Sequence, residues 1–402
     1  MTALRSRAEA VATLRSLRED ALAGRATTSV PLDALAGRTL AADVVAEDPR
    51  PRHNYATMDG FAVDAGDDAP RSVRDAALTP DDDPVDHVPG TATPVATGAP
   101  LPRGANAVIP REDAVRDGQT VDSSPLDAWT NVVRRGSTCA AGERLFEAGT
   151  VLAPRDAALL RDVGRSSVPV ATRFSVGVLA TGDEVDAGTQ PDRDSEALAG
   201  LVRRWSHEPT VEGTVPDDRT AVADRLREVA SDHDVVLTSG GTSVGHGDVT
   251  VDALTSLGTL VWQGVALRPG RPVACVRLDD FDAVAFALPG KPVAAHTAAV
   301  AVLAPFFRGR EATATRPATM ADSLTLPDAP VEYAVPVALD DGVATPFGAP
   351  ASPVHLYDGR YRPGRVAACP RVLRADGLVV APSSLDAGER VDVVPYPELE
   401  GA

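Results

Sequence analysis

The chain has 402 residues, 44% hydrophobic and only 4% aromatic, with 39 basic against 57 acidic side chains and a formal charge of −18. That length supports two to four domains with cores of their own, packed from Ala, Val and Leu rather than aromatics. The negative field opposes nucleic acid and anionic membranes, and no run of about 18 apolar residues marks a membrane span.

The first residues carry Arg but no apolar signal-peptide core, and Cys139, Cys275 and Cys369 have neither zinc spacing nor a disulfide framework. Both features lead us to expect a reduced, cytoplasmic protein. Lysine occurs only at Lys291; every other basic side chain is Arg. Acidic excess with almost no lysine suits a salt-rich cytoplasm, and a GC-rich genome would leave a similar bias.

In chain order, Ala8, Val11, Leu14, Leu17, Ala21 and Leu22 predict a helix from about Ser6 to Ala23, stopped by Gly24. Pro31 to Leu40 reads as a second short helical stretch. Residues 50–131, rich in Pro, Gly and Asp, predict a small β-domain whose acidic stretch Ala69 to Pro89 is a solvated loop. Residues 132–171 are glycine-punctuated, with a short helix at Pro154 to Leu160. They pair with residues 1–49 as a discontinuous N-terminal linking domain.

From residue 172 the pattern alternates. Strands are expected at Phe174–Ala180, Thr210–Val215, Val235–Leu237, Leu257–Val261, Val273–Arg277 and Ala283–Leu288. Helices are expected at Asp194–Trp205, Asp217–Ser231 and Pro292–Phe307. Such alternation through residue 310 implies a doubly wound, mostly parallel α/β sheet. Residues 311–402 lose the helical period and predict a β-barrel or sandwich.

Ligands of doubly wound sheets bind beyond the carboxyl ends of the strands. Three small-residue loops stand at such ends: Leu179 to Glu184, Thr238 to Asp248, and Leu288 to Ala294. The middle one, with Ser239, Gly240, Gly241 and Ser243, is by itself an even choice between a turn and an oxyanion cradle. The third, Pro289-Gly290-Lys291, opens a helix. Between them, Arg268 and Arg271 in Leu267-Arg-Pro-Gly-Arg-Pro272 form a proline-flanked clip for phosphate or another oxyanion. Asp183, Glu184 and Asp248 add carboxylates able to hold a divalent cation, most simply Mg²⁺.

Five segments then occur in order: Thr57-Met-Asp-Gly-Phe-Ala-Val63, Thr97 to Val108, Thr181-Gly-Asp-Glu184, Ser239 to Gly245 with Asp248, and Arg268 to Pro272. Together they resemble the molybdopterin molybdenumtransferase family over about residues 5 to 397. The resemblance implies a four-domain homodimer. Its doubly wound, molybdopterin-binding domain carries a cleft closed by the small β-domain of the other subunit, and its C-terminal domain is a β-barrel. It also implies insertion of molybdate or tungstate into adenylated molybdopterin, with divalent-metal-dependent release of AMP. The adenylyltransferase that makes this substrate is an implied partner.

Carried over by position, the family's functional residues fall on Asp59, Thr97, Glu184, Asp217 or Asp218, and Asp248. Its two basic-loop positions fall on Arg268 and Arg271. Read from the loops themselves, the expected substrate contacts are Thr181, Gly182, Ser239, Gly240, Gly241, Ser243, Arg268, Arg271, Pro289, Gly290 and Lys291, and the expected metal ligands are Asp183, Glu184 and Asp248. Asp59, Thr97 and Asp217 or Asp218 are equally readable as turn or capping residues. Two departures stand out. Lys291 replaces the family's usual Asn, and Ala368-Cys-Pro-Arg371 replaces a serine-rich C-terminal segment. A non-catalytic molybdopterin carrier or scaffold, or a molybdopterin adenylyltransferase, are the competing readings.

Overall fold

A computed structural model describes residues 4–241, 249–311 and 314–401. The chain divides into two compact units, residues 1–28 with 171–402, and residues 29–170.

In the larger unit, Arg7–Ala23 is a helix because Ser6 and Glu9 close a reciprocal capping box. Ala10, Leu14 and Leu17 of this helix join a hydrophobic cluster with Phe174, Val300 and Phe306. The central sheet has six strands among the described residues: β1 (Ser175–Thr181), β2 (Glu208–Val215), β3 (Val235–Ser239), β4 (Thr259–Gln263), β6 (Ala274–Leu278) and β7 (Ala283–Leu288). They stand in the order β2-β1-β3-β7-β6-β4. The first four in that order are parallel; β6 alone is reversed, antiparallel to both of its neighbours, β7 and β4. Buried Val, Leu, Ala and Phe on the central strands explain their near-continuous apolar runs, since helices cover both faces.

The expected helices stand at Ser195–Arg204, Arg219–Asp232 and Pro292–Arg308, the last with a π segment at Ala299–Leu303. The strand expected at Leu257–Val261 begins two residues later, because the preceding helix runs to Leu257.

Beyond the sheet, β8 (Arg316–Met320), β9 (Glu332–Asp340), β10 (Val343–Pro346), β11 (Gly377–Ala381) and β12 (Arg390–Pro395) pair in the order β9-β10-β8-β12-β11. β11 returns to β9 and closes a barrel, so the alternative of a sandwich is settled. A two-residue strand, β5 (Leu267–Arg268), leaves the α/β region and pairs in parallel with Glu332 and Tyr333 of the barrel. No described helix is long and apolar enough to cross a membrane.

In the smaller unit, Gly60–Val63 lies between Ala107–Pro110 and Thr91–Val95 in a six-stranded sheet. Phe61 and Val63 pack into one cluster and Ala62 into another, as period-two alternation requires. A separate core joins Val30, Leu32, Leu35, Leu40 and Val44 to Leu152, Leu160, Val168 and Val170, so distant stretches of chain share one interior. The stretch from Pro31 forms only a single 3₁₀ turn, Leu32–Ala34.

Candidate active site

The strand register brings the loops together. Ala180 of β1 is level with Ser239 of β3, and Ser239 is level with Leu288 of β7. All three chains therefore leave the sheet at the same edge. There they border a cleft of about 860 Å³, within the range of small-molecule sites.

Thr181, Gly182 and Glu184 line it from the first loop, Gly240 and Gly241 from the second, and Pro289, Gly290 and Lys291 from the third. Arg268 to Pro272 closes another side. This clip is braced at both ends. Glu332 N–H donates to Ala266 C=O at 2.8 Å, and Val265 N–H donates to Arg271 C=O at 3.1 Å.

The loops touch so closely that glycine is required. Gly240 has φ +101°, and a Cβ there would stand 2.1 Å from Thr181 C=O. A Cβ on Gly290 would come within 2.9 Å of Gly240 Cα. The Thr181 and Thr250 hydroxyls, 3.2 Å apart, lie under this crossing.

Neighbouring acids take different jobs. Asp218 Oδ1 accepts from Thr220 N–H at 3.0 Å and Ala221 N–H at 2.9 Å, so it caps the helix Arg219–Asp232. Asp217 lines the cleft instead. Burial first, then the Asp183 and Glu184 carboxylates, hold its pKa above the usual range. Asp183 does not line the cleft; its Oδ1 accepts from Asp217 N–H at 2.9 Å. Ser239 also stands outside the lining. It is buried, and its hydroxyl donates to Asp194 Oδ2 at 2.5 Å.

Ser243 and Asp248 lie outside the described residues. Among the described residues no group of three His, Cys, Asp or Glu side chains is arranged to hold a metal ion. Mg²⁺ commonly takes one or two carboxylates plus substrate phosphates. Glu184 and Asp217, crowded carboxylates on one wall, fit that donor set.

Sequence reasoning overlooked several lining residues. Gln190 and Arg193 come from the loop before the helix Ser195–Arg204. Pro363, Gly364, Ala367 and Ala368 come from the short helix Pro363–Ala367 and its end, so the barrel region does reach the cleft. No local pattern marks them; only the barrel's closure brings them there.

In the smaller unit, Asp59 and Thr97 meet. Asp59 Oδ1 accepts from Thr97 N–H at 2.8 Å and from Thr97 Oγ1 at 2.9 Å. These two bonds hold the Asp59 carboxyl below its ordinary pKa, so it stays ionised on an exposed turn.

Comparison with known proteins gives the same picture. Residues 5–164 match the family described as MoeA N-terminal region (domain I and II), and residues 177–309 match "Probable molybdopterin binding domain". The molybdopterin molybdenumtransferase of Synechococcus elongatus is 30% identical over 298 residues, covering 69% of this chain and 74% of the relative. Molybdopterin molybdenumtransferase 2 of Mycobacterium tuberculosis is 31% identical over 295 residues, covering 66% and 71%. The crystal structure of the molybdopterin biosynthesis moea protein from Pyrococcus horikosii superimposes with a TM-score of 0.73 at 25% identity, covering 98% of this chain and 99% of that one. The chain belongs to the molybdopterin molybdenumtransferase family of molybdenum cofactor biosynthesis.

Proposed function

We propose that this enzyme inserts molybdate or tungstate into adenylated molybdopterin and releases AMP, with a divalent cation such as Mg²⁺. The observation that carries this reading is the meeting of three strand-end loops and the Arg268–Arg271 clip around one cleft. In an acidic protein, this cleft gathers Arg193, Arg268, Arg271 and Lys291. Four cations facing glycine-lined backbone suit a ligand carrying phosphates and a tetrahedral oxyanion.

In this reading Arg268 and Arg271 grip phosphate or oxyanion with fixed guanidinium forks, and Lys291 supplies a point charge. Thr181, Gly182, Gly240, Gly241, Pro289 and Gly290 form the binding walls with Ser239 behind them, and Ser243 keeps the substrate-binding role expected from the sequence. Glu184 and Asp217 are the carboxylates on the cleft wall that would hold the cation, Asp183 supports Asp217 from outside the lining, and Asp248 keeps the metal role expected from the sequence. The cation, bound with the ligand, would supply Lewis-acid polarisation of the phosphate.

In the same reading the enzyme is a cytoplasmic homodimer in which the Asp59–Thr97 turn of one subunit completes the site of the other. The adenylyltransferase is its donor partner, and its four domains are 1–49 with 132–171, 50–131, 172–310 and 311–402.

Incubation of purified protein with adenylated molybdopterin, Mg²⁺ and either oxyanion tests it directly. Oxyanion-dependent AMP release is expected. Binding without release would leave a carrier instead.

A further inference from the structure

Behind the cleft wall, a second and much smaller cavity of about 20 Å³ lies between the helices Ser195–Arg204 and Pro292–Arg308. Asp194 and His296 both line it, each more than nine-tenths buried, at 7% and 8% exposure. Each has one satisfied side. Asp194 Oδ2 accepts from Ser239, and His296 Nε2 meets Glu400 Oε1 at 2.9 Å. Their remaining polar atoms, Asp194 Oδ1 and His296 Nδ1, are buried with no partner among the described residues. With Nε2–H given to the Glu400 carboxylate, Nδ1 is an acceptor, and so is Oδ1. Two acceptors on residues that line one cavity cannot satisfy each other. Their needs match one molecule with two hydrogens, and the cavity is the size of one water.

We propose that a single water bridges Asp194 Oδ1 and His296 Nδ1, and that the chain Ser239–Asp194–water–His296–Glu400 holds the walls of the cleft in register. Arg193 and Pro292 line both the small cavity and the cleft, so the bridge sits directly behind the binding surface. Ser239 immediately precedes Gly240, Asp194 follows Arg193, and His296 lies on the helix that Lys291 caps. One buried chain thus joins the second loop, the third loop and the Arg193 segment to the C-terminal helix Tyr396–Glu400. Asp194 and His296 are positioning residues in this scheme. Their functional importance rests on the reading of the cleft given above; the bridge itself does not.

Two measurements test the idea on the full chain. A crystal structure should show one water within hydrogen-bond distance of both atoms; a dry cavity, or a direct Asp194–His296 bond, would overturn the bridge. The second uses Lys291, the only lysine, whose acetylation rate reports wall geometry without any ligand. Asp194→Ala and His296→Ala should each change that rate by about fivefold, roughly the worth of one hydrogen bond, and the double variant should go no further. Asp194→Asn keeps an acceptor for Ser239 and a polar group for the water, so it should stay near wild type. Equal effects of Asn and Ala at position 194, or additive effects in the double variant, would refute the positioning role. If an alanine variant fails to fold, the crystallographic water decides. Protection of wild-type Lys291 by AMP is a separate arm, and its failure would count against the proposed function while leaving the bridge standing.

Discussion

Asp59 and Thr97, 38 residues apart in sequence, are joined through a single oxygen: Asp59 Oδ1 accepts both the amide and the hydroxyl of Thr97. Asn at position 59 can keep both bonds through its own Oδ1 but loses the charge. Under the proposed function, Asp59→Asn should therefore abolish AMP release while the melting temperature and the proposed self-association stay unchanged. Full complementation of a strain lacking this activity by the Asn variant would exclude Asp59 from catalysis.

The same pair predicts a pH response. The folded-state pKa of Asp59 is depressed, so its stabilising contribution is present above the unfolded value and lost as pH falls through the folded one. Thr97→Val removes the hydroxyl and should move the Asp59 titration upward, toward an ordinary carboxyl. Carboxyl carbon NMR of the two proteins checks this.

Asp217 behaves in the opposite sense. Its pKa is raised, so its ionisation opposes folding, and its favourable contribution is lost as pH rises through the folded value. Asp217→Asn should raise the melting temperature at neutral pH and flatten that part of the pH–stability curve. The same change should depress AMP release, a stability gain at the expense of function. An unchanged or lower melting temperature would show that crowding by Asp183 and Glu184 does not strain the free enzyme.

At the loop crossing, Gly240→Ala should cost about 1–3 kcal/mol or more, combining a left-handed backbone with a clash on Thr181 C=O. Gly290→Ala also meets backbone, Gly240 Cα at 2.9 Å, but with less overlap, and should cost less stability while weakening ligand binding. Urea unfolding and AMP protection of Lys291 separate the two effects.

Replacing Arg271 with Ala should weaken binding of a phosphate ligand by about tenfold or more, the usual worth of a charge-assisted hydrogen bond. Lys at the same position should recover only part, because a point charge cannot reproduce a planar fork. Titration calorimetry with AMP measures both.

Much of the cleft was legible because its signals are local. An apolar strand followed by paired glycines, as in Val235 to Gly241, announces a close backbone approach within a few residues. The strand register that aligns Ser239 with Leu288 then follows from parallel pairing. The unread part depends on tertiary packing. Ser239 looked like a ligand contact, yet its hydroxyl goes to Asp194, which lies in the loop before another helix. Whether Asp217 or Asp218 faces the cleft turned on which one caps the helix, a choice that two adjacent aspartates leave open in sequence. Arg193 and Pro363 to Ala367 carry no motif at all, and Ala368 opens the segment that departs from the family's serine-rich pattern.

The short strand β5 has a consequence for how the molecule can be taken apart. Leu267 and Arg268 hydrogen-bond to the barrel strand β9, and one hydrophobic cluster runs from Phe174 through Phe306 to Tyr333 and Leu399. A fragment ending near residue 310 would retain its six-stranded sheet but bare an unpaired edge and half an apolar interface, an invitation to aggregate. The arginine clip is thus a hinge pin between two architectures. Grafting the α/β region alone onto another scaffold would carry the glycine loops and both arginines across but leave the clip without the barrel strand that braces it.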